Sequence, residues 1–139
     1  MLRNLLAVIV GLVVGMAVNM GLIQLNFQVL FPMPPGMDMN DPEQFNAYVA
    51  GLPHTAFIVV LLAHLGQSFV GAWIAARLGG SHRMKLAMTV GILSLVGGIM
   101  AMFMIDGPGW LAIELPLYLL VAWAAGRQVT ARMDPRSSS

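Results

Sequence analysis

Residues 112–120 read AIELPLYLL, which sets one carboxylate, Glu114, and one proline, Pro116, inside an otherwise apolar run. An ionised carboxylate alone in hydrocarbon is costly, so Glu114 must be protonated, paired or hydrated. Few residues can serve it. His64 lies in a second apolar run with Gln67 and Ser68 close behind, and Asn19 lies in a third. A histidine beside a carboxylate can hold or pass a proton, and neutral amides can complete a site for a proton or a small cation. Pro116 leaves two geometries open. It bends the helix and turns Glu114 inward, as in transporter helices that line a cavity, or it falls in an early turn and Glu114 stays at the membrane interface.

Methionine supplies a second candidate chemistry, with 12 in 139 residues. Met16 and Met20 stand one helical turn apart, and Met33, Met37 and Met39 crowd one loop. Thioethers are soft ligands for Cu(I), although methionine is equally a flexible filler of apolar cores. Other chemistries lack their residues. There is no cysteine, no HExxH, no GxSxG and no phosphate-cradling glycine loop, so no cofactor is expected and an enzyme is the less expected class. A bis-histidine haem site would need a second histidine at matching depth, and His54 and His82 lie at the ends of their runs. No nucleic-acid partner is expected.

The elements that must position these residues follow from composition. The chain is 58% hydrophobic and 9% charged, with a mean hydropathy of +0.80, too few polar side chains to coat a water-soluble globule. A lipid bilayer is the expected surrounding. Four runs approach the roughly 20 residues that a membrane-crossing helix requires: about 5–30, 55–78, 84–105 and 110–126. The first could also be a secretory signal, but is taken as a retained span. With no alternating strands, the expected fold is an all-α integral membrane four-helix bundle, one domain over residues 1–139.

Charge sets the orientation. Arg3, Arg77, Arg83, Lys85, Arg127, Arg132 and Arg136 all fall on one side of the four runs, whereas Asp38, Asp41, Glu43 and Asp106 occupy the opposite loops. Basic residues accumulate in cytoplasmic loops, so both termini and the tail 127–139 are expected in the cytoplasm and loop 31–53 outside. Within that outer loop, Asp41-Pro42-Glu43-Gln44 reads as a helix start, and Phe45, Tyr48, Val49 and Leu52 recur at helical spacing. This predicts a short amphipathic helix between spans one and two, either docked as a plain connector or lying as a lid over a site.

Small residues should mark where helices meet. Ala7, Gly11, Gly15 and Asn19 recur every fourth residue, and Ala87, Gly91, Ser94 and Gly98 share one face of span three. Their partners could belong to the same chain or to another copy. At ~1.5 Å per residue, Glu114 should lie about 6–9 Å, and His64 about 10–15 Å, below the outer ends of their helices, with Asn19 comparable. Asn19, His64, Gln67 and Glu114 are therefore expected to form one cluster in the outer half.

The stretches AHLGQSFVGAWIAARL, SHRMKLA and GGIM, with the loop PPGMD, resemble small four-span bacterial membrane proteins that have no assigned activity. The resemblance implies the same topology and a bacterial inner-membrane setting. The MxxxM of Met16 and Met20 is similar to the motif of eukaryotic copper transporters, which have three spans. Small multidrug exporters share the number of spans but carry their glutamate in span one, where this chain has Asn19. The fluoride-channel family shares short spans, but its glycine-arginine signature is missing here. The residues point to a small oligomeric transporter or channel for protons or a small cationic solute, built on Glu114, His64, Asn19 and Gln67. The alternative is a structural or accessory subunit whose glycine faces bind a larger membrane complex, and a Cu(I)-handling protein stands third.

Overall fold

The computed structural model describes residues 1–133; Arg136 and the terminal serines lie outside them. The helices are α1 (Leu2–Leu25), α2 (Pro42–Ala50), α3 (His54–Leu78), α4 (Arg83–Met104) and α5 (Glu114–Met133), with no strand among the described residues. A π-wound segment, Asn26–Leu30, extends α1, and a 3-10 segment, Gly109–Ile113, leads into α5. Four of these elements are long and apolar enough to cross a membrane. The fold is thus an all-α bundle of the kind expected for a multi-pass membrane protein. Leu5, Leu6, Ile9 and Val13 on α1 and Ile92, Leu93 and Val96 on α4 face outward, a surface matched by lipid tails.

The two ends of the bundle are built differently. At the basic end, α3 and α4 are joined through Gly79–His82, and the first turn of α1 closes over the junction. Arg3 Nε donates to the Leu78 carbonyl at 2.9 Å, and Asn4 bonds both Ser81 Oγ and the Gly80 N–H. Arg3 thereby satisfies a carbonyl that the end of α3 leaves open, and its charge suits that helix's negative pole. Arg77 lies over the Trp73 ring at 5.0 Å and Arg127 over Trp123 at 5.2 Å, so both inner tryptophans are held by a cation one turn away.

At the acidic end, α2 folds back over the bundle. Asp41 caps it, accepting the N–H groups of Glu43 at 3.0 Å and Gln44 at 3.3 Å, with Pro42 in the first turn. Hydrogen bonds from the backbone and side chain of Gln44, helped by the Glu43 N–H, hold the Asp41 carboxyl below its ordinary range. The apolar face of α2 is anchored by Phe27, whose ring meets Phe45 and Tyr48 edge-on, and by Tyr48 Oη, which donates to the Phe31 carbonyl at 2.6 Å. Val49, Phe57 and Leu111 form a small core beneath it.

Between the ends, helices approach through small residues. α1 and α3 run antiparallel in the closest pairing. A Cβ on Gly11 would collide with the Gly71 carbonyl oxygen, and one on Gly15 would come within 2.5 Å of the Gln67 carbonyl oxygen. The glycine stripe of α1 therefore has its partner in the same chain. On α4, a Cβ at Gly91 would lie 2.5 Å from Ala122 Cβ, so that glycine seats α5. Ala72, Ala75, Ala76, Ala87, Val90, Ala122, Ala125 and Val129 complete a dense core of mostly small side chains.

Two expectations about chain geometry change. The last helix continues to Met133, beyond the apolar run that ends near residue 126, because Arg127, Gln128 and Arg132 end the hydropathy without ending the helical hydrogen bonds. Pro116 is not a kink in mid-helix. The chain winds as a 3-10 helix to Ile113 and as an α-helix from Glu114, which places Pro116 in the first α turn, where a missing N–H is tolerated.

The packing generates a paired prediction. Gly11→Ala should destabilise the protein by about 1–3 kcal/mol, because a backbone oxygen blocks the new methyl. Gly21→Ala, with nothing within 4 Å of the new Cβ, should be neutral or slightly stabilising. Reversible unfolding in mixed micelles measures both; equal effects at the two positions would contradict the packing.

Candidate functional site

The site begins with the register of two parallel helices. α3 and α5 both run from the acidic end to the basic end, and residues fifty positions apart meet on them: His64 with Glu114, and Ser68 with Tyr118. Ser68 Oγ donates to the Tyr118 carbonyl at 3.0 Å. One turn nearer the acidic end, His64 Nδ1 and Glu114 Oε2 are 2.9 Å apart. The carboxyl side chain is 3% exposed and the imidazole 21%, so Glu114 is buried and its partner is the more accessible member. Glu114 also lies in the first turn of α5, at that helix's positive pole.

Tyr118, one turn after Glu114, completes the setting. Its ring stacks on His64 with centroids 6.4 Å apart and planes at 27°. The ring lies against α4 at Gly98, where a Cβ would come within 2.5 Å of Tyr118 Cε2 and 2.8 Å of its hydroxyl. Gly98 is therefore the notch that lets Tyr118 reach the histidine. In the sequence Gly98 reads as a helix contact and Tyr118 as one more member of an apolar run, although its four-residue spacing from Glu114 puts both on one face.

Above the pair, toward the acidic end, opens a cavity of about 330 Å³. Met20, Ile23 and Phe27 of α1 and its extension form one wall, Phe57, Val60 and His64 of α3 another, and Phe45 and Val49 of α2 close it over. Met102, Ile105, Leu111 and Glu114 complete the lining on the α4–α5 side. Every lining side chain except those of His64 and Glu114 is apolar. α2 thus contributes to the cavity wall through Phe45 and Val49. It is tied across to the α4–α5 loop, where the Asp106 N–H donates to Asn46 Oδ1 at 3.2 Å.

The structure divides the expected four-residue cluster. His64 and Glu114 meet; among the described residues no hydrogen bond links Asn19 or Gln67 to them. Gln67 is turned into the α1–α3 seam, with its Cγ 3.3 Å from where a Gly15 Cβ would stand, and makes no hydrogen bond to either member of the pair. Asn19 Oδ1 is buried and has no hydrogen-bond partner among the described residues. A further polar residue emerges at Asn26. It is fully buried where α1 becomes π-wound, and its Nδ2 donates to the Ala56 carbonyl at 3.1 Å. In the sequence it reads only as part of the polar outer end of span one.

His54 is engaged at the acidic end, accepting from Trp110 Nε1 at 3.0 Å. Of the candidate copper ligands, Met20 and Met39 line the cavity, whereas Met16, Met33 and Met37 do not. No group of three or more His, Asp or Glu side chains suited to a metal occurs among the described residues. Comparison with models of known families, with curated proteins and with solved structures finds no match.

Chemically, the contact at 2.9 Å holds a proton, because a bare carboxylate oxygen and an unprotonated ring nitrogen are both acceptors. That proton sits on the wall of an apolar, low-dielectric cavity, and the pair is neutral overall when it carries one proton beyond the imidazole's own N–H. A double-mutant cycle checks this coupling. His64→Phe and Glu114→Leu each leave one polar partner buried, and the double variant leaves none, so the single losses should exceed the double by a coupling of about 0.5–3 kcal/mol. Simple additivity in reversible unfolding would contradict it.

Proposed function

We propose that the protein is a small membrane carrier that takes up a cationic solute into the cavity in exchange for the proton shared by His64 and Glu114. The supporting observation is a single buried carboxylate, paired with an imidazole, on the wall of an otherwise apolar cavity. The exchange keeps the site neutral. Before it, the pair holds one proton beyond the imidazole's own N–H; after it, that extra proton has left, the solute's positive charge stands opposite the Glu114 carboxylate and His64 is uncharged. A low-dielectric site favours that neutrality, since a net charge there would carry a large desolvation cost.

A carrier fits better than an open pore. Below the pair the bundle is filled by the alanine-rich core, with Gly11 and Gly71 in backbone contact. Passage to the basic end requires helices to separate, which is alternating access and not diffusion through a channel. The charge asymmetry supports an orientation with α2 and the cavity outside and the basic ends in the cytoplasm of a bacterial inner membrane.

Proteoliposomes with an entrapped pH indicator test the proposal. Adding a transported cation should drive proton movement in wild type, and Glu114→Gln should reduce it to the background of empty vesicles, since Gln can still bond His64 but cannot take up and release the proton. Undiminished flux through Glu114→Gln would overturn the proposal.

A further inference from the structure

We propose that the solute is a lipophilic amine carrying a single N–H⁺ donor, whose ammonium meets Glu114 and whose apolar body fills the space under α2. This rests on the carrier reading and names its substrate class.

The acceptor inventory excludes a bare inorganic cation first. Such an ion exchanges its water shell for several oxygen ligands, and among the described residues only Glu114 brings side-chain oxygens to the cavity lining. One of them, Oε2, is already engaged with His64, so the carboxylate keeps only part of its acceptor capacity for a ligand. A primary ammonium presents three N–H groups and would leave donors unsatisfied in an apolar site; a tertiary ammonium presents one. The tertiary ammonium therefore asks least of a single carboxylate in an apolar site.

The rest of the lining matches the other end of such a molecule. The cavity, about 330 Å³, lies within the size range of sites that enclose small organic ligands through apolar walls and a few placed polar groups. Phe27, Phe45 and Phe57 offer aromatic rings to N-alkyl groups next to the charge. Met20, Met39 and Met102 line it as well, and their flexible thioethers adapt to bodies of different shape. Proton balance is simple: R3NH⁺ arrives and its N–H⁺ donates to Glu114, the pair's extra proton leaves to the solution, and the imidazole's remaining N–H at Nδ1 keeps the contact with Oε2.

The test uses the full chain in nanodiscs, with dialysed empty nanodiscs subtracted for partition into lipid. Proton release and binding heat are followed for N,N-dimethylalkylamines of increasing chain length, for the matched trimethylalkylammonium ions, and for sodium, potassium and ammonium. Affinity for the tertiary amines should rise about fourfold per added methylene until the cavity is full. The trimethyl ions, which lack the donor, should bind at least about tenfold more weakly at equal length. Val49→Phe, which narrows the cavity from the α2 side without touching the pair, should move the plateau to a shorter chain, and Glu114→Gln should remove proton release.

Proton release driven equally by sodium, potassium or ammonium, with no gain from chain length, would overturn the substrate class and leave the carrier standing. Equal binding of trimethyl and dimethyl ions would likewise overturn the single-donor argument. Absence of proton release with every cation would remove the carrier reading, and this inference with it.

Discussion

A buried carboxylate in an apolar bundle must be answered by a partner, and the structure is arranged around that requirement. Glu114 meets His64 because α3 and α5 are parallel and in register, so that one turn brings His64 to Glu114 and the next brings Ser68 to the Tyr118 carbonyl. Ser68 pins the register; Tyr118 covers the imidazole face; Gly98 makes room for Tyr118. Each contact is modest alone. Together they hold a titratable pair in fixed geometry at the boundary between a packed half and an open half of the molecule.

That boundary follows from side-chain size. Toward the basic end the facing residues are Gly and Ala, and backbones approach until carbonyl oxygens occupy the positions where Cβ atoms would stand. Toward the acidic end the facing residues are Phe, Met, Ile and Leu, which hold the helices apart and leave the cavity. α2 covers it, held by its Asp41 cap and by the edge-on contacts of Phe27 with Phe45 and Tyr48. The chain thus has a closed end and a hollow end.

The fold was largely legible because hydropathy and charge act over whole segments: an apolar run long enough to span lipid has few alternatives to a helix. The start of α2 was equally readable, since Asp41, Pro42 and Glu43 each act locally. The pairing of His64 with Glu114 was legible from depth, as both lie in the outer half and each needs the other. Azimuth was not. Gln67 is three residues from His64 yet serves the α1–α3 seam, and Asn19 shares the small-residue spacing of Ala7, Gly11 and Gly15. Tyr118 and Asn26 escaped for the related reason that their roles depend on a neighbouring helix: the notch at Gly98, and the carbonyl of Ala56. The cavity is a property of helices held apart, which no single segment encodes.

The central claim is that His64 and Glu114 are hydrogen-bonded inside the bundle. Magic-angle-spinning NMR in lipid bilayers, with ¹⁵N in the histidine rings and ¹³C at the glutamate carboxyls, measures it directly through the dipolar coupling between His64 Nδ1 and Glu114 Cδ. The account predicts a strong coupling, that of a nitrogen in hydrogen-bond contact with the carboxyl group, and its loss in Glu114→Leu. No coupling between the two nuclei in wild type would contradict it.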